Sequence, residues 1–379
     1  MNGNPNMFLL NFRRVALLSC FCLTLSLHSF SAFSAEALDK TTKTKAGSTW
    51  QVVEPGGDTQ CSDGSPYKFH VKPGKTDKLF VFLNGGGACW NAQTCDARAE
   101  RKAYVPRADV AHNDPSQHNG IFDLDNPENP VKDWSMVFAP YCTGDVHLGS
   151  AERKYVAADK HEFDIQHAGA ANTQAVLQWV ENNMSPEKVV IAGASAGALA
   201  APIYAGRAAT MFPNAEVLSF ADGAAGYRSD QVPQILEQWS VFSPLDKNKY
   251  AGFQKELKSF YSFYGVEDKH HPKISFALYD SAEDKVQVMF KKMLGDTDVL
   301  VDAIGETYKS LSSQVAPLTY YLASGDIHTI LRFKHFYSTE IDGIRFVDWF
   351  NKLLNSRFPD VVDCRVSPEK CQTDTVTKP

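Results

Sequence analysis

The stretch "VVIAGASAGALAAPIYAG", residues 189–206, decides the fold. It opens as a run of β-branched apolar residues, reaches Gly193-Ala194-Ser195-Ala196-Gly197, and continues rich in alanine. Val and Ile favour a strand and Ala a helix, so a strand enters a turn at Ser195 and a helix leaves it. The order strand, G-x-S-x-G, helix is that of a nucleophile elbow, which holds a serine on a sharp turn at the top of a sheet. Glycines on either side allow helix and strand to approach without a Cβ clash. The N-terminus of the following helix favours negative charge developing beside the serine. A small-residue turn that only packs a helix on a sheet is the other reading. Pro202 falls inside the expected helix and predicts a kink there.

The elements around this stretch repeat its logic. "KLFVFLN" (78–84), "WSMVFAP" (134–140), "EKVVIAG" (187–193), "AEVLSFAD" (215–222) and "APLTYYLASGD" (316–326) have the apolar, β-branched and aromatic character of buried strands. Helical spacing marks residues 167–184, 284–294 and 344–355. Residues 38–60 read as an irregular arm, and 227–275 as an aromatic-rich, helical, cap-like insertion. Residues 91–130, rich in Asn, Asp and Pro, read as a long surface excursion. Strands alternating with helices predict an α/β fold with a mainly parallel central sheet flanked by helices.

The first strong strand runs into "LNGGGACW" (83–90). Acyl transfer needs preorganised N–H donors for a tetrahedral oxyanion, one after the nucleophile and others from an early strand-to-helix loop. Ala196 supplies the first, and Gly86 and Gly87 are the candidates for the others. No Lys-Ser/Thr follows, as a phosphate-binding loop would require. A plain tight turn stays open as an alternative.

The bulk numbers agree with one large folded domain rather than a disordered chain. The chain has 379 residues, 44% hydrophobic and 12% aromatic, enough for one sizeable core. A formal charge of −6 offers no basic face for nucleic acid. Arg13 and Arg14 precede the apolar run "VALLSCFCLTLSL", and small residues follow in "SAFSAEA". That is the form of a secretory signal peptide, predicted over residues 1–37, with cleavage after Ser34 nearly as good a fit. The apolar run is short for a bilayer span. The expectation is one catalytic domain over 38–379, exported to the periplasm or beyond, without stable membrane insertion. Six cysteines remain after the signal segment, an even number that suits disulfides in an exported chain. Close spacing favours Cys89–Cys95 and Cys364–Cys371, leaving Cys61–Cys142. A zinc site is the competing reading, but CxxC pairs and a nearby histidine cluster are lacking.

"FLNGGGACWNAQTC", "YCTGDVHLG", "IAGASAGALA", "FADGAAGY" and "ALYDS", in this order, resemble the pectinacetylesterase family, which includes the Notum carboxylesterases. The resemblance implies an α/β-hydrolase fold and ester hydrolysis by a Ser-Asp-His triad, with no metal or organic cofactor. Asn84 departs from the family's usual Glu, and Gly87 and Ala88 replace bulkier residues. The implied substrate is an acyl ester, acetyl first among them and carried on a polysaccharide such as pectin. A lipid-acyl deacylase or lipase, and a non-catalytic binding protein on the same fold, are the alternatives.

Ser195 needs a histidine to take its proton and a carboxylate to orient that histidine, in the chain order Ser, acid, His. His328, in "ASGDIHTIL", follows the last predicted strand, and the family points to the same residue. His335 is the alternative. For the acid, Asp280 follows a short apolar run and matches the family's Tyr-Asp-Ser position. Asp222, ending a strand in "SFADGAA", reads as a support near the elbow or as a second candidate acid. Asp326 lies close to His328 but more ordinarily caps a turn.

Overall fold

Strand-forming runs of the sequence pair into one sheet, whose order follows from which runs are buried on both faces. The structure, a computed structural model, describes residues 41–43, 49–100, 102–250, 252, 253, 257, 259–366 and 371. The expected signal peptide, residues 1–37, lies outside the described residues. In chain order the strands are β1 (Thr41–Lys43), β2 (Gln51–Val53), β3 (Phe69–Lys72), β4 (Lys75–Leu83), β5 (Trp134–Ala139), β6 (Ala151–Val156) and β7 (Glu162–His167). They continue with β8 (Lys188–Ala194), β9 (Glu216–Asp222), β10 (Ser275–Ser281), β11 (Leu318–Ala323), β12 (Glu340–Ile341), β13 (Ile344–Arg345) and β14 (Val362–Asp363). Ten of them form a sheet in the order β1-β2-β3-β5-β4-β8-β9-β10-β11-β14. Pairings from β5 through β14 are parallel, and β1 to β3 add an antiparallel edge. The central strands are almost wholly buried, as parallel strands covered by helices must be. This is the α/β-hydrolase architecture.

The topology fixes where a site can form. The neighbours of β4 are β5 on one side and β8 on the other, so the strand order reverses at β4. Such a switch point opens a crevice outside the carboxyl ends of the strands. At that edge Leu83, the last residue of β4, pairs with Gly193 of β8, so the glycine run and Ser195 emerge side by side.

Differences from the sequence-based expectation have physical causes. The arm over 38–60 contains β2, which pairs with β3 to extend the sheet. Residues 91–130 do not merely cover the surface. They contain short helical turns and the fully buried Asn113. The Asn113 amide donates to the carbonyls of Arg107 and Tyr141, and its oxygen accepts from the Tyr141 N–H. A polar composition therefore reads as surface, while its groups are satisfied internally. The helix Ala196–Met211 runs through Pro202 without interruption. Among the described residues no helix is long and apolar enough to cross a membrane.

Three disulfides join Cys61 to Cys142, Cys89 to Cys95 and Cys364 to Cys371. The first fastens the segment after β2 to the loop after β5. The second closes the loop directly beyond the glycine run. There the Asn91 side chain accepts from the Thr94 N–H and the Trp239 indole donates to the Cys89 carbonyl.

Candidate active site

Ser195 stands at the hinge between β8 and the helix Ala196–Met211, with φ 52° and ψ −114°. A serine rarely adopts this backbone, and such strain is kept only where the surroundings impose it. Here they do. A Cβ on Gly193 would lie 2.1 Å from the Gly197 carbonyl oxygen, and one on Gly197 would lie 2.1 Å from that of Leu83. The two glycines bring strand and helix into backbone contact and force the turn between them. The glycine run lies against it: a Cβ on Gly85 would come within 2.9 Å of the Ser195 Cβ.

Asp222, the last residue of β9, joins this elbow to the loop that carries His328. Its carbonyl accepts from the Ser195 N–H at 2.7 Å. Its buried carboxylate accepts from the Ile330 N–H at 2.9 and 3.1 Å and from the Leu331 N–H at 2.9 Å. Burial pushes the Asp222 carboxyl up to about 7 despite these donors. The residue supports the elbow, and its carboxylate is committed to backbone amides rather than to an imidazole.

The structure does not bring Asp280 to His328. Asp280 lies within β10, and its side chain accepts from the Ala225 N–H at 2.9 Å, the Gln287 amide at 2.8 Å and the Tyr308 hydroxyl at 2.7 Å. Burial raises it to about 7. Asp284, four residues on, takes the place expected for it. Its Oδ2 lies 2.7 Å from His328 Nδ1. The reason is local. Asp284 is the N-cap of the helix Lys285–Met293, and its Oδ1 accepts from the N–H groups of Val286 and Gln287 at 2.8 and 3.0 Å. Capping fixes one carboxylate oxygen and turns the other to the imidazole. Gln287 bridges both acids, donating to Asp280 and, at 3.1 Å, to Asp284 Oδ2. The signal for Asp284 is present in the sequence, because it is the first residue of the helical pattern over 284–294. Of the alternatives, His335 is exposed at the start of a short helix, and Asp326 forms a surface ion pair with Lys285.

Beneath the glycine run, Asn84 is fully buried. Its oxygen accepts from the Arg332 guanidinium at 3.0 Å, and its amide donates to Asn113 and to the His112 carbonyl. His147 Nε2 bonds the Asn84 carbonyl at 2.8 Å, and His112 Nε2 bonds that of Gly85 at 2.9 Å. Burial, aided at His112 by the neighbouring Arg332 charge, lowers both imidazoles to about 4. They are neutral donors that fix the loop. Sequence reasoning does not reach this network, whose members are dispersed along the chain.

Ser195, Ala196 and Gly87 line one cavity of about 40 Å³, walled by apolar groups that include Trp90, Trp239 and Phe290. Gly86 lies against the Tyr141 ring, and its carbonyl accepts from the Val105 N–H. Among the described residues the amides of Gly86, Gly87 and Ala196 have no backbone partner. A larger polar cleft of about 1020 Å³ lies along residues 108–125, and neither Ser195 nor His328 lines it. Cys89, Cys95 and His167 are close enough to share a metal ion, but the two sulfurs form a disulfide and are not thiolates.

Comparison with known proteins agrees with the architecture. The family described as Pectinacetylesterase matches residues 43–249, more than half of the chain. Palmitoleoyl-protein carboxylesterase NOTUM of Mus musculus is 30% identical over 174 residues, 43% of this chain and 33% of that protein. Pectin acetylesterase 4 of Arabidopsis thaliana is 27% identical over 207 residues, 50% of this chain and 47% of that protein. Inactive palmitoleoyl-protein carboxylesterase notum1b of Danio rerio is 34% identical over 97 residues, 24% of this chain and 68% of that protein. The matched part thus spans about a third of the mouse relative and just under half of the plant one.

Proposed function

The chain belongs to the pectinacetylesterase family, and on that premise we propose that it is a serine carboxylesterase cleaving short acyl esters, acetyl above all. The Ser195 hydroxyl attacks the ester carbonyl while His328 Nε2 takes its proton. Asp284 holds the proton on Nδ1 and steadies the imidazolium. The amides of Gly86, Gly87 and Ala196 stabilise the oxyanion, each worth on the order of 10²–10³ in turnover. His328 then returns the proton to the leaving alcohol, and water, activated by the same imidazole, releases the acid from the acyl-enzyme.

The observation that carries this reading is the strained Ser195 facing a small apolar cavity, with Asp222 tying its elbow to the His328 loop. The same cavity favours short acyl groups. Its volume of about 40 Å³ is a few times the roughly 10–15 Å³ of space that admits one water. A short acyl group such as acetyl fits such a space. An acetylated polysaccharide such as pectin is the proposed substrate, in keeping with the name of the plant relative. The leader pattern over 1–37 and the three disulfides support export to an oxidising compartment, the periplasm or outside the cell.

Acetate release from acetylated pectin and xylan, measured side by side for the wild type and Ser195→Ala, tests the proposal. Release that disappears in the variant is expected. Equal release by both proteins would end it. A non-catalytic role is the second reading, favoured by the name of the zebrafish relative, and absence of release from either protein would favour it.

A further inference from the structure

Behind the cavity at Ser195 lies a second one. It measures about 10 Å³ and is lined by apolar groups that include Ala221, Tyr264 and Leu278. Two residues, Leu199 and Phe260, line both cavities. They form the wall between the serine side and the space beyond. Leu199 belongs to the helix that follows Ser195, one turn from the nucleophile. Phe260 comes from the insertion between β9 and β10 and is 5% exposed. Its neighbour Tyr261 anchors this part of the wall, donating its hydroxyl to the Ala224 carbonyl and accepting from the Tyr227 N–H.

We propose that Phe260 sets the acyl chain length the enzyme accepts, by closing off the second cavity from the serine. This rests on the esterase reading and deepens it. The argument is one of volume. Trimming a large apolar side chain from a packed interior leaves a dry cavity on the order of 150 Å³ at most, enough for a benzene-sized apolar guest. Without the phenyl ring the two small cavities and the vacated space become one apolar channel leading away from Ser195. A guest of that size corresponds to several methylenes of an acyl chain. Each methylene so accommodated is worth about a fourfold gain in kcat/KM. The wild-type ring makes the same methylenes clash. Chain-length selection therefore resides in a side chain outside the triad and its oxyanion donors.

The test is a series of 4-nitrophenyl esters from acetyl to octanoyl, run on the wild type, Phe260→Ala and Phe260→Leu. Phe260→Leu keeps most of the packing and reads the effect if the alanine variant folds poorly. The wild type is expected to prefer acetyl and to lose activity with length. In Phe260→Ala the octanoyl-to-acetyl ratio of kcat/KM should rise by more than about tenfold, the gain for two accommodated methylenes. Phe260→Leu should shift in the same direction by less. A folded variant that cleaves acetyl esters with the wild-type ratio would overturn the assignment of Phe260 and leave the esterase reading standing. Wild-type protein that cleaves no ester of the series would instead overturn the esterase reading, and this inference with it.

Discussion

Replacing Asp284 by Asn separates the acid's electrostatic role from its structural one. Asp284 does two jobs with two oxygens. Oδ1 caps the helix Lys285–Met293 through the N–H groups of Val286 and Gln287, and Oδ2 holds His328 Nδ1 at 2.7 Å. Asn is as good an N-cap as Asp, so the cap survives. The charge at the helix N-terminus is lost, costing about 0.3–1 kcal/mol. The Gln287 amide, which donates to Oδ2, then faces the Asn Nδ2 donor and loses that bond, on the order of 1–3 kcal/mol more. The stability cost is therefore about 1–4 kcal/mol, within the total of a typical domain, and the protein stays folded. At His328 the consequence is far larger. The Asn Nδ2 is a donor, so it selects the imidazole tautomer with its proton on Nε2, which cannot accept from Ser195. A loss of about 10⁴ in kcat is expected, by analogy with the same substitution in the serine-protease triad. Turnover of 4-nitrophenyl acetate, with thermal denaturation run in parallel, measures both quantities. Asp280→Asn is the control. It disturbs the bonds to Ala225, Tyr308 and Gln287 but leaves the His328 pair in place, so kcat per folded molecule should stay within about tenfold of the wild type. The reasoning fails if Asp284→Asn retains a tenth of the activity, or if Asp280→Asn is the variant that loses it.

The remaining predictions concern the buried carboxylates. Because burial raises Asp280 to about 7, the native state keeps a proton that the unfolded chain releases nearer 4. Its contribution is complete at pH values near 4 and is lost as pH rises towards 7. The stability of the wild type relative to Asp280→Asn should thus fall by on the order of 4 kcal/mol across that window. Urea unfolding at several pH values checks this, and a difference that grew with pH would contradict it. Asp222→Ala strands the buried N–H groups of Ile330 and Leu331. At about 1–3 kcal/mol each, the midpoint of denaturation should drop markedly. In the folded fraction kcat should fall more than KM rises, as the His328 loop loses its tether to the elbow, and Asp222→Asn should recover part of that loss.

The legible part of this chain is the part in which local pattern and tertiary role coincide. β8, the glycines around Ser195 and the following helix announce themselves because strand, turn and helix each need their own residue types in sequence. His328 is legible from its place after β11. The acid is harder. Asp280 and Asp284 are close in sequence, and only the geometry of a helix cap against a strand end separates them. Asp280 is held by Ala225, Tyr308 and Gln287, and the first two of these lie far from it along the chain. The network around Asn84 is illegible for the same reason, since its link to Arg332 spans 248 residues. Asn113 shows the limit of composition: the surroundings that suggest surface belong to a side chain buried by its own hydrogen bonds. The helix Leu300–Ser312 buries Leu300, Ile304, Tyr308 and Leu311, a helical spacing that the sequence-based expectation leaves unassigned.

The measurement closest to the central claim is covalent labelling by a fluorophosphonate, read by intact mass and peptide mapping. A serine activated by an imidazole reacts with such a reagent, and an ordinary turn serine does not. The expected result is one adduct per chain, on Ser195, absent from Ser195→Ala and slowed by orders of magnitude in His328→Ala. No adduct on folded wild-type protein, or an adduct on a different residue, would contradict the account.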